Sequence, residues 1–180
     1  RQHTAGIDSK MQFRTKEALY VNNKDYYFKC GDLEKEINSK YPGETDKYIT
    51  IYTCEDNVYL GWAYYPWHWG EGNKNQVVYS SPHTFPGGSY ISYNKGMTVV
   101  HELGHFLGLK HTFNSLGKCQ AYGDDGFSDT ALEKSPSYDC NLNRDTCPDS
   151  PGKDPVWNYM DYSVDSCLNR FSPQQTSFMV

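Results

Sequence analysis

Residues 101–111 read HELGHFLGLKH, and this stretch decides the fold. Residues four apart on a helix share a face, so His101 and His105 can direct two imidazoles at one ion. Gly108 can end the helix sharply, because glycine adopts positive φ angles at little cost. The chain can then turn back and bring His111 to the same ion. Three neutral imidazoles are typical of a catalytic zinc site, since they leave the fourth coordination position open.

Glu102 adds a carboxylate close to the same face of the helix. From there it can take a proton from water without binding the metal, which is the role of a general base. The alternative is an ordinary helix whose three histidines are solvent-exposed or packed in a core. The full HExxHxxGxxH spacing favours the metal site, because the surrounding helix and turn signals agree with it, whereas HExxH alone is weaker evidence.

A second motif, NYMDY, occupies residues 158–162. It places Met160 in a polar, turn-like context downstream of the helix. A methionine in a loop more often fills a gap, but zinc proteases of the metzincin type carry a methionine turn beneath the metal. Tyr162 can reach the metal or a reacting carbonyl with its phenol. The two motifs together predict a zinc-dependent endopeptidase that acts on protein or peptide substrates.

The length and charge of the chain limit the number of domains and the kinds of partner that can be expected. A chain of 180 residues fits one domain, which we expect to span residues 1–180, with an upper part over 1–108 and a lower part over 109–180. The net charge of −5 and the lack of a Lys/Arg run argue against a nucleic-acid partner. No apolar stretch approaches the roughly 18 residues of a spanning helix, so no membrane insertion is expected, and a monomer is the default. The start at Arg1, without an initiator Met or an apolar leader, is interpreted as a processed N-terminus.

The six cysteines form an even set without a CxxC pair. Zinc ribbons favour close CxxC pairs, so disulfides are a better interpretation than a cysteine-based metal site. Disulfides persist in oxidising compartments, which predicts a secreted, extracellular protein.

Hydrophobic patterning predicts an α+β protein. Short strands are expected over 11–18, 26–29, 47–53, 59–65 and 76–80, and helices over 32–40, 96–107 and 173–179. An extended substrate is expected to pair as an added strand with the edge of the sheet. The candidates for that edge are Val77, Val78, Tyr79 and Ser80.

Segments around both motifs resemble the pappalysin family of metzincins, in particular its secreted fungal and bacterial members. The resemblance runs over residues 47–179 and includes, besides the two motifs, YITIYTC, LGWAYYP, PGGS, YNKGMT and FSPQQ. It implies a metzincin-like zinc protease fold, with an upper half of twisted mixed sheet plus helices. The implied lower half is irregular, stapled by disulfides and closed by a C-terminal helix.

The same resemblance implies a role for each motif residue. His101, His105 and His111 correspond to the zinc ligands, Glu102 to the base, Met160 to the Met-turn and Tyr162 to a stabiliser of the transition state. In the family, four C-terminal cysteines interlock, first with third and second with fourth. That pattern implies Cys119–Cys147 and Cys140–Cys167 here, which leaves Cys30–Cys54 as the third pair.

Leu168 occupies a position where the chain departs from some relatives. Those relatives select a basic residue after the scissile bond with an Asp directly after the last of these cysteines. Leu168 stands there in this chain. The sequence therefore predicts a substrate-binding role for Leu168 and an apolar or mixed preference in that subsite.

A calcium site is the second feature that some relatives carry in the lower half. Its candidate oxygen donors here are Asp124, Asp125, Asp129 and Thr130. The following residues 131–134, ALEK, depart from the family pattern. A solvated acidic loop is the alternative interpretation.

One alternative comes from a different functional class, and a second comes from within the zinc proteases. A binding or adhesion module could keep the fold and be catalytically silent, although loss of a ligand or of the base would then be expected, and all are present. An astacin- or reprolysin-like metzincin is the alternative among enzymes, and the flanking segments disfavour it.

Overall fold

Three short strands and four helices form the regular structure of the part of the chain that is described. The structure is a computed structural model, and it describes residues 9–43, 47–69, 76–120 and 125–180. The helices are α1 (Lys24–Phe28), α2 (Glu34–Lys40), α3 (Met97–Phe106) and α4 (Pro173–Met179). The strands are β1 (Thr50–Thr53), β2 (Gly61–Ala63) and β3 (Val77–Ser80).

The strands form one mixed sheet in the order β1–β3–β2. Strand β3 pairs in parallel with β1 and antiparallel with β2. Tyr79 on β3 stacks between Tyr52 of β1 and Trp62 of β2, with ring centroids 5.0 Å and 4.2 Å away. These rings join a buried cluster that includes Ile37 of α2. The predicted α+β class with a mixed sheet in the upper half is confirmed.

The prediction that Val77, Val78, Tyr79 and Ser80 form the sheet edge is wrong. These residues are β3, the central strand, and all four are buried. Their backbone groups already pair with β1 on one side and β2 on the other, so no added strand can reach them. The edge strand next to α3 is β2 instead, and α3 packs across both β2 and β3.

The N-terminal region also differs from its predicted strands. Residues 11–18 have no regular secondary structure, and the predicted strand over 26–29 is replaced by the last part of α1. The Asn23 side chain explains the helix, because its Oδ1 accepts hydrogen bonds from Asp25 N at 3.0 Å and Tyr26 N at 3.1 Å. Such an N-cap satisfies backbone donors that a helix start otherwise leaves free.

Three disulfides join the expected cysteine pairs, of which the family resemblance implied the two C-terminal ones and left Cys30–Cys54 as the third. Cys30–Cys54 fastens the loop after α1 to the end of β1. Cys119–Cys147 and Cys140–Cys167 hold the lower part, where described residues 109–172 form loops with only isolated β-bridges. No helix among the described residues is long and apolar enough to cross a bilayer.

In the lower part of the chain, Arg144 lies at the centre of a cluster of buried acidic side chains. Its guanidinium donates to Glu133 Oε1 at 2.7 Å and contacts the Asp154 carboxylate. Glu133 Oε2 accepts a further hydrogen bond, 2.9 Å long, from Thr112 Oγ1, directly after His111. Both carboxylates are almost fully buried, and burial followed by the nearby Asp161 carboxylate raises the pKa of Glu133. The Arg144 guanidinium therefore offsets part of the cost of burying these carboxyl groups.

Candidate active site

Helix α3 and the turn after it place the three histidines. His101 and His105 are buried on one face of α3. Gly108 follows the helix with φ +94°, a left-handed conformation that favours glycine. The chain reverses at this turn, and the His111 ring comes to 4.5 Å from the His105 ring. The motif thus produces the convergence that its spacing predicts.

The Nε2 atoms of these histidines face one another. His105 Nε2 lies 3.0 Å from His111 Nε2, which lies 3.2 Å from His101 Nε2. The Nδ1 atoms of His101 and His105 each lie 2.7 Å from a backbone oxygen, of Tyr159 and Leu109 respectively. Because those Nδ1–H groups donate to carbonyls, the Nε2 atoms present lone pairs.

This arrangement fits a metal ion. Burial lowers the pKa of His105 to about 4, that of His111 to about 3 and that of His101 well below its usual value, so the rings are neutral near pH 7. Lone pairs that face one another at about 3 Å repel, unless a cation lies among them. These three histidines are also the one group of His, Cys, Asp or Glu side chains in the described chain that is close enough to share an ion. The chain therefore carries a metal site.

Glu102 lies beside the histidines, buried to 6% exposure. Burial raises the pKa of its carboxyl to about 8, and a metal cation held by the three histidines would favour the ionised carboxylate. Gly61 on β2 makes room for this side chain, because a Cβ at Gly61 would lie 3.0 Å from Glu102 Cγ and 2.7 Å from the Tyr79 carbonyl oxygen. The glycine of the edge strand therefore lets α3 pack closely and keeps the carboxylate at the cleft.

Met160 lies fully buried beneath α3, as the Met-turn motif predicts. A Cβ at Gly104 would overlap Met160 Sδ and would lie 3.2 Å from Met160 Cε. Gly104 is thus required for close contact between the helix and the Met-turn. The motif leaves this position free, so sequence reasoning did not identify it.

The Tyr162 ring borders the histidines on the lower side. Its centroid lies 4.9 Å from that of His111 and 5.5 Å from that of His101. Phe113 supports it at 4.8 Å. Burial raises the pKa of Tyr162 to about 12, so the phenol keeps its proton and can act as a hydrogen-bond donor.

A cleft of about 330 Å³ opens beside the metal site. His101, Glu102 and Tyr162 line it, together with residues 58–61, which lead into the start of β2. Leu168 also lines the cleft, together with Tyr93, Met97, Thr98, Tyr138, Asp161, Ser163 and Asp165. The structure therefore brings Leu168 to the cleft, whereas β3 contributes none of the lining residues.

Asp165 is a cleft residue that sequence reasoning missed. Its Oδ2 accepts hydrogen bonds from Lys95 N at 2.7 Å and Met97 N at 3.3 Å, next to the start of α3. Its Oδ1 is buried and has no hydrogen-bond partner in the described chain. The sequence shows an acidic residue between Tyr162 and Cys167, and this was the signal from which Asp165 could have been identified. A buried carboxylate oxygen in a cleft wall can accept a donor from a ligand.

The proposed calcium donors serve contacts within the protein. Asp129 accepts hydrogen bonds from Ser172 Oγ at 2.7 Å and Gln174 N at 2.8 Å, which fastens the start of α4. Asp125 accepts one from Thr130 Oγ1 at 2.9 Å. Asp124 lies outside the described residues. Calcium binding in this loop stays a prediction.

Comparison with known proteins places these features in a family. The family model Peptidase_M43, described as pregnancy-associated plasma protein-A, matches residues 32–180. An extracellular metalloprotease of Colletotrichum graminicola is 45% identical over 125 residues, which are 67% of this chain and 43% of that protein. Extracellular metalloprotease 1 of Coccidioides posadasii is 45% identical over 187 residues, covering 91% of this chain and 66% of the relative. The chain thus spans 43% and 66% of the lengths of these two curated relatives.

Solved structures of mirolysin share the fold. Mature mirolysin of Tannerella forsythia with a cleaved peptide has a TM-score of 0.68 at 29% identity, over 75% of this chain and 52% of that one. Mirolysin with a compound has a TM-score of 0.71 at 28% identity, over 82% and 58% of the two chains. The family match covers most of the chain, including both motifs. This chain belongs to the pappalysin family, Peptidase_M43.

Proposed function

We propose that this chain is the catalytic domain of a secreted, zinc-dependent endopeptidase, with an upper part over 1–108 and a lower part over 109–180. The convergence of three Nε2 atoms beside a carboxylate and an open cleft carries this proposal. His101, His105 and His111 would hold the zinc, as a neutral three-imidazole set with an open fourth position. Zinc bound there would supply Lewis-acid chemistry, acidifying water and polarising a peptide carbonyl. Three disulfides and the extracellular relatives support secretion.

Two side chains of the protein would carry the proton and charge changes. Glu102 takes a proton from the attacking water and returns it to the leaving amine, so it serves first as base and then as acid. The Tyr162 phenol keeps its proton, because burial raises its pKa, and it donates to the oxygen that becomes negative in the transition state. Met160 supports the floor beneath the ligands through its contact with Gly104.

The substrate backbone would pair with β2. Strand β2 has β3 on one side, and Gly61 at its start lines the cleft beside Glu102. An extended peptide that adds to this edge would pass directly over the reacting groups. This strand takes the place of β3 in the substrate-binding role predicted from the sequence.

The subsite after the scissile bond combines apolar and acidic walls. Leu168 retains the assignment that the family resemblance gives it, and Asp165 adds a buried oxygen without a partner. Lys and Arg match both features, because they bury an apolar stem and carry donors at the end. We therefore propose the mixed form of the predicted preference, in which apolar residues and the long basic residues Lys and Arg are both accepted at this position.

Asp165→Asn is expected to reduce the acceptance of Lys and Arg and leave that of apolar residues unchanged. The amide oxygen can still accept from Lys95 N, but the negative charge is lost, and a hydrogen bond to a charged group contributes about 1.5–3 kcal/mol, or roughly 10- to 100-fold in kcat/KM for Lys and Arg substrates. Cleavage of a peptide library by the wild type and the variant measures the change. The exposed Asp149→Asn is the matched control. An apolar preference in both proteins would contradict the role of Asp165.

The proposed activity itself is tested by cleavage of the same library with metal analysis of the same sample. Purified chain is expected to contain about one zinc per molecule, as a three-histidine catalytic site requires, and to cleave peptides internally. A chelator should abolish cleavage, and added zinc should restore it. A zinc-loaded chain that binds peptides but cleaves none would instead indicate the silent binding module. Gel filtration of this sample tests the expected monomer.

A further inference from the structure

An aromatic pair, with Trp67 exposed and Tyr65 half-buried, lies just beyond the end of β2. The rings of Tyr65 and Trp67 stack with centroids 4.7 Å apart and planes 7° from parallel. The Tyr65 ring meets the His105 ring edge-on at 5.2 Å. Trp67 remains 56% exposed despite its size. Neither residue has a role in the mechanism described above.

The backbone and a neighbouring turn hold this pair in place. Residues Pro66–His68 form a 3₁₀ turn, which His68 N closes by donating to Tyr65 O at 2.8 Å. A Cβ built on Gly108, in the turn of the histidine motif, would lie 3.7 Å from Trp67 Cζ3. Trp67 is therefore set between Tyr65 and the Gly108 turn. An exposed ring fixed in this way loses little conformational entropy when another ring packs on it.

The pair lies at the opposite end of β2 from the acidic subsite. Residues 58–61, which lead into the start of β2, line the cleft with Leu168 and Asp165, whereas Tyr65 and Trp67 follow β2 and Tyr65 contacts His105. A peptide along β2 that places the residue after the scissile bond near Leu168 therefore places the preceding residues near the pair. The contacts from His105 through Tyr65 to Trp67 extend at most about 10 Å, which is up to roughly three residues of extended chain.

We propose that Tyr65 and Trp67 form a subsite for an aromatic side chain of the substrate, two or three residues before the scissile bond. This inference rests on the proposed peptidase function and adds a second determinant of specificity. Flat, parallel rings favour stacking or edge-on contact with a further ring. A guanidinium can also stack on tryptophan, so a preference for Arg at that position is one of the outcomes that overturn the aromatic assignment.

The test compares Trp67→Ala with Trp67→Phe on peptides that differ only in the residue two or three places before the cleaved bond. For peptides with an aromatic residue there, Trp67→Ala is expected to lower kcat/KM roughly 3- to 10-fold, mainly through KM, with no change for alanine peptides. Trp67→Phe keeps a ring and should retain most of the preference. Calorimetric binding of the same uncleaved peptides to zinc-loaded Glu102→Gln, with and without Trp67→Ala, gives a readout independent of turnover. Phe28→Ala, an exposed aromatic on α1, is the control that should leave the profile unchanged.

Each outcome decides between the two proposals. If the wild type cleaves peptides but shows no aromatic preference, or if Trp67→Ala keeps it, the subsite is wrong and the peptidase proposal stands. If the zinc-loaded wild type cleaves nothing, the peptidase proposal fails and the subsite fails with it. An aromatic preference that Trp67→Ala removes and Trp67→Phe retains supports both.

Discussion

Glu102→Gln is expected to abolish peptide cleavage while zinc stays bound. Glutamine has nearly the same size and fits beside Gly61, but it cannot accept a proton from water at neutral pH. Loss of a general base costs typically 10²- to 10⁴-fold in rate. The three histidines make the metal site without this carboxylate. Atomic emission measures whether zinc is retained, and kcat/KM on a library peptide measures whether cleavage is lost. Both measurements are made on one preparation.

Two further variants separate the base from its neighbours. His111→Ala should lose zinc together with activity, because it removes one of three ligands.

Tyr162→Phe should keep zinc and retain slower turnover, because it removes only a donor to the developing negative charge. Turnover by zinc-loaded Glu102→Gln at the wild-type rate would show that another group acts as the base.

Arg144→Ala is expected to destabilise the protein by about 3–5 kcal/mol, since it removes the cation from a buried cluster of carboxylates. Glu133 and Asp154 would keep their burial but lose the guanidinium that donates to both. Glu133 also receives the Thr112 hydroxyl hydrogen bond, so the segment that carries His111 should loosen as well. Urea unfolding of the zinc-loaded and zinc-free forms measures the loss.

The matched control is Lys153→Ala, from the same loop region. Lys153 Nζ is exposed and its partner is Asn143, so this variant should change stability by less than about 0.5 kcal/mol. Arg144→Lys should fall between the two, because it keeps the charge but loses the guanidinium fork. Equal stability of Arg144→Ala and wild type would show that the carboxylates are satisfied without a cation.

Local spacing made most of the metal site predictable from the sequence. The positions of His101, His105 and Gly108 fix their relation within one helix and one turn, so no long-range contact had to be known. The position of helix α4 was equally predictable from the sequence, because Ser172 caps the helix and its side chain accepts a hydrogen bond from Gln175 N. Elements whose ends carry such signals were placed within a few residues of their observed bounds.

Residues whose roles depend on distant partners were not predictable in the same way. Gly104 is required only because Met160 packs against it, and Asp165 matters because it meets the start of α3. The order of the strands also depends on long-range pairing. A clue did exist for β3, since continuous apolar character in VVY is typical of a strand buried on both faces.

The overlap of the two C-terminal disulfides would keep a molecule in one piece after another copy of the peptidase has cut it once in this region. Cys140 lies between Cys119 and Cys147, and Cys147 lies between Cys140 and Cys167. A single backbone cut anywhere from 119 to 167 therefore leaves at least one bridge spanning the break. The exposed loops of this region are the natural targets of proteolytic nicking. A nicked molecule would remain one covalent unit, with the Met-turn and the wall at Leu168 still tethered to the helix that carries the histidines.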